Sequence, residues 1–280
     1  MAEPYPPARH IMRDLRIVTD RPAPEHAISV APVDDHVRDA SGGACLGFLV
    51  ALVDTCGALV ALPAAEPDWM ATSSLSYQAI APLRSGPAIA EAHLLRRGSK
   101  TIVCAVEVFD GDGSEAPGSR RPVGSGLLNF GRIPRRASES VIDTSAGFQR
   151  HVTMALPDSG LTAPLLERVG IRVRDAAAGD VELHKSDYVR NSFGTINGGV
   201  LGMVAQAAAE AAVAASTEGP TFVAADIQLH YLAQVGAGPL RTSTRVLRRV
   251  GEHAVCHVHA FDAGNADLAV TFAQVTLLAW

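Results

Sequence analysis

The stretch Leu95–Asp110, LRRGSKTIVCAVEVFD, returns at Leu247–Asp262 as LRRVGEHAVCHVHAFD, with half of its positions identical and no gap. The offset is 152 residues, and the same offset links two further blocks. DHVRD at Asp35–Asp39 becomes DYVRN at Asp187–Asn191, and Gly86-Pro87 becomes Gly238-Pro239. A constant offset across separated blocks marks an internal duplication, and a period this long is a whole small domain rather than a solenoid unit. The chain therefore reads as two fused copies of one fold, able to pair as a homodimer would.

Each copy follows one plan. A short helix (Ala8–Leu15, Thr162–Arg168) leads into an extended, turn-rich stretch. A long apolar helix follows, Cys45–Leu62 ending at Pro63 in copy one and Gly198–Ser216 in copy two. Four strands come next: Ser73–Ile80, Ala88–Arg96, Ile102–Phe109 and Val123–Phe130, matched by Ala224–Leu232, Leu240–Arg248, Ala254–Phe261 and Val270–Leu278. They alternate with period two; Cys104, Val106 and Val108 make one apolar face, and Cys256, Val258 and Ala260 repeat it. A long apolar helix beside an antiparallel sheet with one buried face predicts an α+β fold. The expected division is repeat one at 1–132, a crossover at 133–159 and repeat two at 160–280. The loop Gly111–Pro122 is longer than its counterpart and is expected to be mobile.

Composition narrows the function. With 48% hydrophobic residues the 280-residue chain is no disordered segment, and a net charge of -5 argues against a nucleic-acid partner. Four cysteines without a C-x-x-C pair, and an N-terminus without an apolar signal core, lead to the expectation of a cytoplasmic, reduced protein. Cys45–Leu62 is apolar enough to suggest a membrane span, but Asp54 sits at its middle, so a buried core helix is expected and no membrane partner.

Asp54 is also the first chemical signal. A carboxylate in such a helix must be paired, hydrogen-bonded or shifted upward in pKa. Its counterpart is Gln206, so an acid stands in one copy and an amide in the other. The start of the second helix reads Asn191-SFGTI-Asn197-Gly198-Gly199, where glycines expose helix N–H groups that can hold a developing oxyanion. In copy one the matching positions are Asp39, Cys45, Leu46 and Gly47. Copy one thus keeps the acid and copy two the cradle. Asp54 lies about 13 Å along its own helix from that helix's start, so the cradle must come from an antiparallel partner helix. One complete site and one dead site per chain are expected. Thr72 and Ser73 are candidates to stand behind Asp54 or touch substrate.

These residues resemble the hotdog-fold thioesterases, in particular PaaI-like acyl-CoA thioesterases, whose pattern is Asn-x5-His-Gly-Gly followed by an acid. NSFGTINGGVLGMVAQ matches it with Asn197 in the His position and Gln206 in the acid position; CLGFLVALVDTCG places Asp54 there. The resemblance implies a double hotdog, a curved sheet wrapping each long helix, and hydrolysis of acyl-CoA thioesters. It implies Asp54 as nucleophile or general base, the Gly198 amide on the carbonyl oxygen, and Asn191 and Asn197 as positioning groups. Gly199 would belong to the cradle, and Phe48 and Met203, with Leu49 and Val204, would surround the acyl chain between the helices. Coenzyme A enters only as part of the substrate, with no separate cofactor, and a homo-oligomer of the fused chain is expected. A non-catalytic acyl-CoA binding or sensing module and a hotdog enoyl-CoA hydratase are the alternatives. Arg96-Arg97 and Arg248-Arg249 suit either strand ends or coenzyme A phosphates. His253, His257 and His259 lack a carboxylate cluster, and no metal is expected.

Overall fold

The computed structural model describes residues 5–111, 120–135, 152–216 and 219–279. The expected mobile loop and most of the expected crossover lie outside the described residues. Repeat one contains α1 (Ile11–Asp14), β1 (Val18–Ala23), β2 (His26–Ala31), α2 (Leu46–Ala65), β3 (Trp69–Ala79), β4 (Ala88–Arg97), β5 (Thr101–Asp110) and β6 (Arg121–Ile133). After the two-residue β7 (Val152–Thr153), repeat two contains α3 (Leu165–Val169), β8 (Arg172–Asp175), β9 (Asp180–Leu183), α4 (Gly198–Ala215), β10 (Phe222–Tyr231), β11 (Leu240–Val250), β12 (His253–Asp262) and β13 (Leu268–Ala279). The fold is the α+β double hotdog: two long buried helices packed on one 13-stranded antiparallel sheet.

The sheet order, β7-β1-β2-β4-β5-β6-β3-β10-β13-β12-β11-β9-β8, reads as one repeat followed by its mirror order, the two joined at β3–β10. There Ser76 faces its own counterpart Gln228, with Leu75 opposite Leu229 and Tyr77 opposite Ile227. A residue can face its own copy only where a twofold axis passes. The helices obey the same axis: Val50 packs on its counterpart Gly202, and Gly47 on Met203 as Gly199 does on Ala51. They therefore run antiparallel, as expected. A Cβ on Gly47 would come within 2.6 Å of the Met203 side chain and one on Gly199 within 2.8 Å of Ala51, so glycine at both places sets the close approach.

The repeated blocks have a structural use. Asp110 accepts the N–H groups of Arg84, Ser85 and Gly86, and Asp262 those of Gly236, Ala237 and Gly238. Each Phe-Asp strand end thus fastens the loop that carries the Gly-Pro block. Burial by itself would raise the Asp262 carboxyl, but the N–H donors outweigh it and hold the pKa below the ordinary value. The alternating faces also appear as read: Cys104, Val106, Val108, Cys256, Val258 and Ala260 are buried against the helices.

Two details differ from the sequence reading. Helix α2 continues through Pro63 to Ala65. In the last turn a proline forfeits only one intrahelical bond, and Arg132 donates to the Ala64 and Ala65 carbonyls left open at that end. The turn-rich stretch before each long helix contains the hairpins β1–β2 and β8–β9. Both α2 and α4 are long and apolar enough to cross a membrane, yet 67% and 72% of their most apolar windows are buried inside the fold.

Candidate active site

Antiparallel packing brings the middle of α2 to the first turn of α4. A Cβ built on Gly198 would lie 3.0 Å from Asp54 Oδ2 and 3.5 Å from the Tyr231 hydroxyl. The other carboxylate oxygen, Oδ1, accepts from the Thr72 hydroxyl on β3 at 2.8 Å. Thr72 therefore fixes the carboxylate so that Oδ2 faces the helix start. Tyr231, at the end of β10, donates to the Gly198 carbonyl at 3.2 Å.

Burial pushes the Asp54 carboxyl up to about 6, against which the Thr72 hydrogen bond acts. Burial also raises Tyr231, reinforced by the nearby Asp54 charge, so the phenol stays a neutral donor. Gly198 is the first residue of α4, and its N–H takes no acceptor from the described residues. The Asn197 side chain caps the helix by accepting the Gly199 N–H at 2.9 Å, and its amide also meets the Tyr5 hydroxyl. The Asn191 carboxamide oxygen accepts from Phe193 and Thr195 and shapes the loop leading into α4.

These groups open on a cavity of about 190 Å³, lined by Asp54, Thr72, Asn191, Asn197, Gly198 and Tyr231 with apolar walls from Met70, Phe193, Ile196 and Leu201. The aromatic pair Phe193 and Trp69 (5.7 Å, edge-on) flanks it. At the twofold-related end Asp39, Gly43, Leu46, Ala79 and Ala224 leave a cavity of about 30 Å³, while Gln206 itself, with Asp39, Cys45 and Glu210, lines a separate one of about 460 Å³. There Gln206 Oε1 accepts the Gly47 N–H at 2.7 Å, and Gln206 Nε2 donates to Glu210. The amide in the acid position thus caps α2 at Gly47, as Asn197 caps α4 at Gly199.

The structure thus gathers Asp54, Thr72, Asn191, Asn197 and Gly198 at one place. Four expected residues stand elsewhere. Phe48 and Met203 are fully buried in the packing around the two helices, leaving no room there for an acyl chain. Gly199 serves helix contact and the cap. Ser73 is exposed and bonds the Asn129 carbonyl, because the β3–β6 register breaks between Thr72 and Ser74, leaving Ser73 outside the ladder and turning Thr72 to the Asp54 side. Arg96, Arg97, Arg248 and Arg249 do not line the cavity, and Arg249 stacks on Phe222. Sequence reasoning missed Tyr231; its signal was a tyrosine at the offset from Ala79.

The profile of the thioesterase superfamily matches residues 46–117 and 193–269, one segment per repeat and more than half of the chain. The chain belongs to the thioesterase superfamily. Among solved structures, a candidate thioesterase II from Thermobifida fusca YX shares the fold over 95% of this chain and 96% of its own, at 18% identity and a TM-score of 0.62. The acyl-CoA thioesterase II TesB2 of Mycobacterium marinum does so over 90% and 93%, at 14% identity and a TM-score of 0.55. At such identities the likeness is one of fold. The subtype these structures carry is thioesterase II, so the PaaI-like expectation finds no support in them. No curated protein matches the sequence.

Proposed function

We propose that this protein hydrolyses acyl-CoA thioesters at one split site per chain, with Asp54 from repeat one and the α4 N-terminus from repeat two. The observation that carries the reading is the asymmetry between twofold-related ends. At one end a carboxylate stands beside the uncommitted N–H of Gly198 and opens on the cavity; at the other the acid position holds Gln206, whose amide oxygen instead takes the Gly47 N–H. A thioester carbonyl placed at the α4 start would receive the Gly198 N–H and the positive end of the helix dipole on its oxygen as charge develops there. Asp54 Oδ2 then acts as general base on water; a carboxyl pKa of about 6 keeps it ionised at neutral pH yet basic enough to take the proton. Thr72 holds the other oxygen, and Tyr231, a donor to the Gly198 carbonyl, steadies the helix start.

The solved acyl-CoA thioesterase II neighbour supports acyl-CoA as the substrate class. The acyl group would lie on Met70, Phe193, Ile196 and Leu201 rather than between the helices. The test is thiol release from a panel of acyl-CoA chain lengths by the wild type and Asp54→Asn. Turnover by the wild type and its loss in a folded Asp54→Asn variant are expected. Acyl-CoA binding without thiol release would favour the sensing module, and full turnover by Asp54→Asn would remove Asp54 from the chemistry.

A further inference from the structure

The outer face of the sheet, away from α2, carries a cluster that hydrolysis leaves unused. His26 on β2 stands directly across from His93 on β4. Glu91 precedes His93 by two residues on the same strand, so pleat alternation sends both side chains to that face. Glu91 Oε1 is 2.6 Å from His26 Nε2 and 3.9 Å from His93 Nε2. The three ligand atoms lie within 4.8 Å of one another. The second carboxylate oxygen, Oε2, pairs with Arg120 at 3.3 Å, which leaves Oε1 to the imidazoles.

Two further observations set this cluster apart from an ordinary ion pair. Glu107 on β5 stands directly opposite Glu91, so two carboxylates meet across the strands and the Arg120 charge offsets one of them. The offset counterparts of His26, Glu91, His93 and Glu107 are Ala178, Ser243, Arg245 and His259. Repeat two forms the same strands without them, so the fold does not require them.

We propose that His26, Glu91 and His93 bind one zinc ion through two imidazole nitrogens and a carboxylate oxygen, with a fourth position left to water or an external ligand. Tetrahedral zinc with bonds of about 2.1 Å sets its ligand atoms about 3.4 Å apart. The two separations from Glu91 Oε1, 2.6 and 3.9 Å, bracket that spacing. His93, 49% exposed, has the freedom to tilt out of its 4.5 Å stack on His26 and turn its lone pair to the ion. Arg120 on Oε2 fixes the carboxylate as an outer hydrogen-bond partner fixes a metal ligand. Linear spacing could not show the site, because its histidines lie on strands that only the sheet brings together. It stands independently of the hydrolytic reading.

The test uses the full chain without an affinity tag, stripped with chelator, titrated with Zn²⁺ by calorimetry and with Co²⁺ in the visible spectrum. One ion per chain and the intense band of four-coordinate Co²⁺ are expected. His93→Ala and Glu91→Gln should each weaken binding at least about tenfold, whereas His257→Ala, in the other histidine-rich strand, should leave it unchanged. The four cysteines are buried and do not compete in the folded chain. No saturable uptake, uptake unaffected by His93→Ala, or uptake lost on His257→Ala would each overturn the proposal. Should Glu91→Gln fail to fold by circular dichroism, the exposed His93 substitution remains decisive.

Discussion

Asp54→Asn should destroy activity and stabilise the protein, and the second effect should depend on pH. The buried carboxyl is raised from 3.8 to about 6. The folded state therefore holds a proton that the unfolded state has released between those values, and stability falls as pH rises through that window. At about 1.4 kcal/mol per unit, the full shift is worth about 3 kcal/mol above pH 6. This is an upper bound, because Asp54 keeps some contact with the cavity. Asparagine matches the shape of the acid, can still accept from Thr72, and carries no charge at any pH. Its melting temperature should exceed that of the wild type by about 5 °C at pH 8, with the gain fading at pH 4. Glu210, raised to about 7 by burial, imposes a slope of the same sign on both proteins and cancels in the difference. Paired thermal melts at the two pH values, alongside thiol-release assays, provide the measurement. An equal gain at both pH values, or none at pH 8, would refute the claim that the fold carries Asp54 as a strained ion.

Other outcomes follow from the same geometry. Gly198→Ala places a methyl 3.0 Å from Asp54 Oδ2 and should lower kcat about 10²-fold with little change in melting temperature; normal turnover would show that the acid does not work at that helix start. Gln206→Ala leaves the buried Gly47 N–H unpaired and should cost about 1–3 kcal/mol in denaturant melts. Its kcat/KM should change far less than that of Asn191→Ala, whose loop leads into the live helix; comparable losses would contradict a single live site. The kcat/KM of the wild type should fall tenfold per unit below an apparent pKa near 6, and a profile flat to pH 4.5 would exclude Asp54 as the base. Tyr231→Phe should lower kcat about tenfold by loosening the Gly198 carbonyl, and unchanged kinetics would reduce Tyr231 to a wall residue.

The duplication made the fold legible. Fixed offsets placed the twofold, and Asp54 and Gln206 at one offset already set an acid at one end against an amide at the other. The acid–cradle pairing followed from helix rise, since Asp54 could not reach the start of its own helix. Lateral packing was not legible. Apolar residues such as Phe48 and Met203 look alike whether they surround a ligand or one another, and only the glycine contacts show that the helices meet too closely for an acyl chain. Regular alternation from Leu75 and Tyr77 would turn Ser73 rather than Thr72 inward, and only the register break between Thr72 and Ser74 reverses it. Tyr231 follows the same pattern: its importance comes from the end of α4, distant in sequence.

The asymmetry of the repeats has an energetic reason. A live end keeps an ionised carboxylate out of water and a helix N–H without a protein acceptor, and both features lower stability. Two live ends in one chain would carry both costs twice. At the other end Gln206 removes the first: a neutral amide stands where the acid would be, and its oxygen pairs with the Gly47 N–H. Repeat two does retain an acid one helical turn on, Glu210, but the Gln206 amide and the Ala224 N–H both donate to it. Its carboxylate is thereby committed within the protein, whereas Asp54 has only Thr72 on Oδ1 and turns Oδ2 toward Gly198. Restoring an acid at 206 should therefore destabilise the chain without creating a second site. Gln206→Glu would keep an acceptor for the Gly47 N–H but lose the Nε2 donor to Glu210 and set a second buried carboxyl beside it. A Gln206→Glu protein with lower melting temperature and unchanged kcat per chain is the expected result. A doubled kcat would show that the acid alone, rather than the acid with an open cradle, limits the number of sites.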